Sequence, residues 1–556
     1  MESVLRIEAW FEGAHPGFLD AVLAVGDTGK LRGLARRWVA DARPWARRML
    51  LDYIADGCDR PGHRALVKAL YKAAEGAALH DVVGAFLVAF DRLAPRKLTV
   101  VGRWDWRTRT SYQEVELRRD ASIPVSTSRA RREGRFTRRT RLYLGRRAFR
   151  HLRHLGFRDA GAYREAAVAT LLRYAEADLT TPENILDAWG LHHLLFGRSP
   201  VLDRLRTGTV LAPGASLDAL RPAPIHVHVW LDPAARPALI VLLAGAEAGV
   251  VRAWALQILR DHHPAALDAP TLDELTALLS SPHEEAQQAG AGALQGRADL
   301  GALPLAAWLR LLAVQGAIAV EAICAAARQV VDPARLSLAE CVRLARQPVA
   351  PVARLGLEWA RAPRRDDALA ALLPLAGAPL REIRDAALPW LAERLGADAA
   401  ATPALVREVI DAPTADARAH GLALLGHPRY QDAELIWAAL PETPYADVRR
   451  FLLAHIERRR DQVDVARGLW VDTLLGLGSG SAARGRALRQ IGERLVAHPG
   501  EADVLLPLLG VALRGVSGPD RRQGLAVLAR AVVRRPSLRA DAARHFPEIR
   551  FPEAAA

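Results

Sequence analysis

The strongest constraint on this chain is a recurrence. An Ala- and Leu-rich segment returns at residue 250 (VVRAWALQIL), 284 (EEAQQAGAGAL), 318 (IAVEAICAAA), 350 (APVARLGLEWA), 382 (EIRDAALPWLA), 416 (DARAHGLALL) and 447 (DVRRFLLAHI). The successive spacings are 34, 34, 32, 32, 34 and 31 residues. Each segment follows another apolar stretch, such as TLDELTALLSS or ALAALLPLAG, and a short turn rich in Gly, Pro, Ser or Asp. A helical hairpin of this length cannot bury its apolar face alone, so the period implies hairpins stacked on their neighbours.

The pattern resembles HEAT repeats, whose second helix opens with a small acidic or basic group and continues with Ala and Leu at helical spacing. Ala386, Leu388 and Leu391 illustrate the stripe expected to be buried, with Arg384 and Asp385 at its margin. The resemblance covers residues 234–470, and 480–545 more loosely; SGSAARG at 479–485 reads as a loop. The implied fold is all-α, an α-solenoid of HEAT-like helical hairpins. Composition agrees, because Ala, Leu and Arg dominate and aromatics are only 6%.

The first half is less regular. Residues 1–97 read as N-terminal helical pairs, 98–128 as an extended or β-hairpin insertion that alternates β-branched and polar residues, 129–222 as a basic helical region and 223–556 as the repeats. PIHVHVWLD at 224–232 is a second extended candidate.

The charge is unevenly placed. The chain carries a net +14, and the segment 129–153 holds eleven arginines against the single acid Glu133, a local +10. Thr137 is positioned to cap a helix running to about His154. On it Leu142, Gly145, Phe149 and Leu152 share one side. Arg139, Arg146, Arg150 and Arg153 gather on the adjacent side within about 60° of one another. Arg138 and Arg147 add to the same segment. Guanidinium forks suit phosphate oxygens, and a row of them releases counterions along a nucleic-acid backbone. The expected partner is double-stranded DNA, contacted through the backbone rather than the bases, and no obligate protein partner is evident.

Chemistry is harder to find. Cys58, Cys324 and Cys341 lie far apart, which excludes a disulfide framework and a CxxC zinc site and fits a reducing cytoplasm. The first residues lack the pattern of a signal peptide, and apolar stretches are too short to span a membrane, so membrane attachment is not expected. GxSxG, HExxH and GxGxxG motifs are absent. His226 and His228 read as structural histidines, and neither a metal nor a cofactor is expected. What remains are carboxylates beside tryptophans: Trp38 with Asp41, Trp45 with Asp52, the pair Trp104 and Trp106 around Asp105, and Asp187 with Trp189, His192 and His193.

A basic stack of HEAT-like repeats with such pairs resembles the AlkD-type alkylpurine DNA glycosylases. In that family a carboxylate stabilises the positive charge that develops on deoxyribose as the base leaves, and tryptophans line the sugar. The resemblance implies a glycosylase acting on a damaged or modified base, including bulky bases of foreign or viral DNA. Asp41, Asp52 and Asp187 are then the candidate catalytic carboxylates, and Trp38, Trp45 and Trp189 the candidate lining residues. Trp38-x-x-Asp41 only approximates the family's Trp-x-x-x-Asp spacing. The alternative is a non-enzymatic HEAT scaffold that binds nucleic acid or an acidic protein through 129–153.

Overall fold

The computed structural model describes residues 2–93, 96–119, 127–179, 181–205, 208–362, 368–431, 433, 436–437, 440, 443–455, 463–475 and 481–551. It divides into two compact units, Met1–Val330 and Val331–Ala556. Both are built from helices, and among the described residues the only sheets are two antiparallel hairpins, both in the first unit.

The repeats form as the spacing requires. In the first unit the hairpins are Arg236–Gly245 with Gly249–His262 and Leu272–Leu279 with Glu284–Gly296, followed by Leu305–Leu311, which packs on Leu272–Leu279, and Ala317–Val330, which packs on Glu284–Gly296. In the second, Leu338–Ala345 pairs with Ala350–Ala360, the 3-10 segment Leu369–Gly377 with Arg381–Ala397, and Pro403–Ile410 with Ala415–Leu424. Within each unit the second helices pack on one another in succession, so the apolar faces stack into a layer. The C-terminal stretch continues the scheme with Val463–Leu475, Ser481–Ala497, Ala502–Leu513 and Gly518–Arg534, closed by Leu538–His545. The loop expected at 479–485 is therefore corrected over 481–485: those residues open a helix, because Ala487 and Leu488 are needed in the core.

An arginine ladder links successive repeats. Arg252, Arg384 and Arg418 stand near the start of their second helices. Each donates to two carbonyls just before its own helix: Ala246 and Glu247, Ala378 and Pro379, Ala412 and Pro413. Each also reaches the first-turn acid of the next second helix: Glu285 at 3.4 Å, Asp416 at 2.7 Å and Asp447 at 2.8 Å. One side chain thus satisfies otherwise orphaned turn carbonyls and fixes the step to the next hairpin.

The N-terminal part of the first unit is organised around helix His80–Arg92. Its run Val82–Phe90 is apolar on every side and buried throughout, as a helix without a polar face must be. Pro44–Gly57, Arg64–Gly76, Arg138–Arg158, Ala160–Leu171 and Trp189–Phe196 pack around it. The strands Arg96–Asp105 and Thr110–Arg119 form the hairpin expected from residue 98 onward, while Thr127–Arg132 is helical, and 120–126 lie outside the described residues. A second, smaller hairpin, Leu202–Leu205 with Gly208–Leu211, was not anticipated.

The extended segment expected at 224–232 is also corrected. Val227–Leu231 is a short helix that buries Val229 and Trp230, and Trp230 stands edge-on to Trp254 at 5.0 Å. The alternation in IHVHVW is too short to separate the two periods, and burial of Trp230 decides it.

Candidate nucleic-acid interface

Helix Arg138–Arg158 begins as the sequence indicates, with Thr137 Oγ accepting from the Thr140 N–H. Its start is clamped from below. Gly62 and Gly134 both have positive φ (81° and 61°) and approach so closely that a Cβ on Gly134 would lie 2.8 Å from the Gly62 backbone. Gly62 N–H donates to the Glu133 carbonyl at 2.9 Å. The other end is held where His226 Nε2 meets the Arg153 carbonyl at 2.9 Å. Here a Cβ on Gly156 would come within 2.4 Å of the His226 ring, so the helix can pass only as glycine. His226 is buried, which lowers its pKa, and among the described residues no group of three or more His, Cys, Asp or Glu could hold a metal.

Packing sorts the eleven arginines into different tasks. Arg141 is only 3% exposed and donates to the Phe136 and Leu93 carbonyls and to Asp59 Oδ1 at 2.6 Å. Arg147, expected on the phosphate-binding segment, instead makes a two-pronged contact with Glu75 at 2.9 and 2.5 Å. Arg129 and Arg135 both face Glu133. Arg146 lies over the Trp189 ring, 4.5 Å from its centroid. Arg139, Arg150 and Arg153 are exposed on one side of the helix, and among the described residues no acid stands within salt-bridge range of them. The Arg138 side chain lies outside the described part of the helix.

The buried stripe is Arg141, Leu144, Gly145, Ala148, Phe149 and Leu152. Leu142, expected in that stripe, is 36% exposed, because the buried arc is centred on Arg141, Gly145, Ala148 and Leu152, about 90° around the helix from it. With it on the outer face stand Tyr143 and Phe157, the latter 64% exposed. The face is thus guanidinium groups interleaved with aromatic rings, a pairing that sequence periodicity alone did not bring out.

The carboxylate and tryptophan pairs do not converge on one site. Trp38 is buried among Phe11, Phe18 and Tyr53, with its indole N–H donating to the Ala46 carbonyl. Asp41 is gripped by Arg43 through its guanidinium at 2.7 to 3.0 Å, and that hydrogen bonding holds its carboxyl below the usual range. Trp45 packs against Phe11 and Phe18, and Asp52 is exposed on helix Pro44–Gly57. Trp189 is the one of the three tryptophans that meets the arginine helix, and Asp187 precedes it by two residues. Half-buried Asp91 fixes this corner by accepting from Tyr174 Oη and from the Gly190 and Leu191 N–H groups. Burial drives His192 down to about 3 and His193 to about 4, so both are neutral packing partners of Trp189 rather than acids.

Hairpins stacked within each unit and tied by the arginine ladder define an all-α protein of the HEAT-like helical-repeat class with a small β-hairpin insertion. No family profile matches the chain, and no curated protein matches it. Among solved structures it is similar to a chain in the structure of Kap95p binding to RanGDP, at 11% identity and a TM-score of 0.21, covering 96% of this chain and 83% of that one. It is likewise similar to a chain in a study of the phosphorylation switch between cadherin and beta-catenin, at 13% identity and a TM-score of 0.16, covering 98% and 96%. Likeness at this level says nothing of what the chain binds.

Proposed function

We propose that this chain binds nucleic acid, double-stranded DNA foremost, along the outer face of helix Arg138–Arg158. The observation that carries the reading is the exposed row Arg139, Arg150 and Arg153, with Tyr143 between the first two, Phe157 one turn past the last, and no acid in range among the described residues. Such a row meets successive phosphates, and the affinity it supplies is lost in salt. The test is duplex binding across a salt series for the full chain and for the variant Arg139→Gln, Arg150→Gln, Arg153→Gln. The slope of log affinity against log salt is expected to shallow by about 0.9 for each phosphate contact removed. An unchanged slope would move the interface off this helix.

One observation favours a hydrolytic extension. Trp189 adjoins the arginine helix through Arg146, and Asp187 precedes it by two residues, so an indole meets that helix with a carboxylate close by in the chain. In this second reading the chain is a DNA glycosylase, and the Asp187 side chain stabilises the oxocarbenium-like sugar as a damaged or bulky modified base departs. Incubation with modified duplexes followed by alkali should then release strand breaks that Asp187→Asn abolishes. Breaks that survive in Asp187→Asn but vanish in Asp41→Asn or Asp52→Asn would reassign the carboxylate. Intact strands with every substrate leave binding as the function.

A further inference from the structure

The hairpin Arg96–Asp105/Thr110–Arg119 carries large apolar side chains where a folded protein normally hides them. Trp106 is 84% exposed, Trp104 50% and Tyr112 47%, and every residue from Trp106 to Gln113 is exposed. The register places Trp104 opposite Ser111 and Arg103 opposite Tyr112, so the two faces of the ribbon differ. Trp104 stands on one face, edge-on to Trp106 at 6.2 Å, and Arg103 with Tyr112 occupies the other.

The loop that displays them is ordered by its own hydrogen bonds. Asp105 accepts from the Arg107 N–H and the Thr108 hydroxyl, both at 2.8 Å, Thr108 and Thr110 pair their hydroxyls, and Arg109 sits at φ +54°. Asp105 at the tip is therefore occupied internally, and beside it Arg107 and Arg109 are exposed. The root of the hairpin is tied to helix Arg138–Arg158 from its buried side, where Arg141 holds the Leu93 carbonyl three residues before Arg96.

We infer that this tip is a second nucleic-acid contact that stacks Trp104 and Trp106 on unpaired nucleobases while its arginines meet the flanking phosphates. Indole faces accept any base, guanidinium groups supply the electrostatic attraction, and a preordered loop reduces the conformational entropy lost on binding. The inference shares with the duplex reading only the class of partner, since stacking needs bases that a closed duplex does not offer.

The experiment compares the full chain with the variant Trp104→Ala, Trp106→Ala on oligothymidylate and on an abasic oligomer of equal length. The parent chain should prefer oligothymidylate by about tenfold or more for each stacked base. The variant should lose that preference and keep its affinity for the abasic strand, and Trp104→Phe, Trp106→Phe should restore most of it. Unchanged thermal midpoints would show that the tip is not needed for folding. A variant that binds both strands as the parent does, or weakens equally on both, overturns the inference. So does a parent chain that ignores both oligomers and binds phosphatidylserine vesicles through the same tryptophans. The arginine-helix variant separates the readings: an unchanged duplex salt slope removes the helix face and leaves the tryptophan result standing.

Discussion

Arg141 and Arg150 are side chains of one type on one helix, and their surroundings give them opposite work. Arg141 is a buried pin between two backbone carbonyls and Asp59, so Arg141→Gln should cost about 3 kcal/mol, toward the lower end for a broken buried pair because Asp59 keeps some solvent. Arg150→Gln should leave the urea midpoint unchanged and weaken only polyanion binding. Trp38→Ala should cost about 3–5 kcal/mol by opening a cavity among Phe11, Phe18 and Tyr53. If Trp38 lined a substrate instead, the change would alter binding with little loss of stability. At this scale the sequence was only half legible. The local +10 was visible, but not which guanidinium groups packing would turn inward or acids such as Glu75 would capture from 72 residues away. Local periodicity cannot fix the rotation of a helix whose flanks mix Leu and Arg, and Leu142 outside with Arg141 inside is the result.

Among the elements, the second helices of the repeats were read to within a residue of their observed starts at 249, 284, 317, 350, 381, 415 and 446, because Ala and Leu at helical spacing recur there without competition. The arginine at the fourth position of three of these helices and the acid in the first turn of the next were legible as residues, but not as partners. Their pairing needs the stacking geometry. Asp416 tests that geometry. Burial alone would raise its carboxyl, yet hydrogen bonds from Thr414, Arg384 and the Ala417 N–H, with the charge of Arg384, bring it down to about 2 from an ordinary 3.8. A depressed carboxyl stabilises the fold above the unfolded value and stops doing so as pH falls through the folded one. Asp416→Asn should therefore lower the thermal midpoint at pH 6, and the difference from the parent should vanish between about pH 4 and pH 2. A gap that persists at pH 2 would show that the charge of Asp416 is not what ties the repeats.

For the whole molecule, the question is whether net charge or its location governs binding. The unit Met1–Val330 holds 44 Lys and Arg against 35 Asp and Glu, a net +9, so the +10 of residues 129–153 exceeds the charge of the entire unit. The unit Val331–Ala556 is also basic, with 32 against 27, and its helix Gly518–Arg534 exposes Arg521, Arg522 and Arg530. Counterion release depends on cations placed along a phosphate chain, whereas long-range attraction is screened beyond about 8 Å at physiological salt. Two triple variants with the same total charge therefore separate the possibilities. Arg139→Gln, Arg150→Gln, Arg153→Gln should shallow the salt slope, and Arg521→Gln, Arg522→Gln, Arg530→Gln should leave it as in the parent while changing the isoelectric point equally. Equal shallowing in both would mean that the chain binds polyanions as a diffusely basic body, and the helix would lose its claim to be the interface.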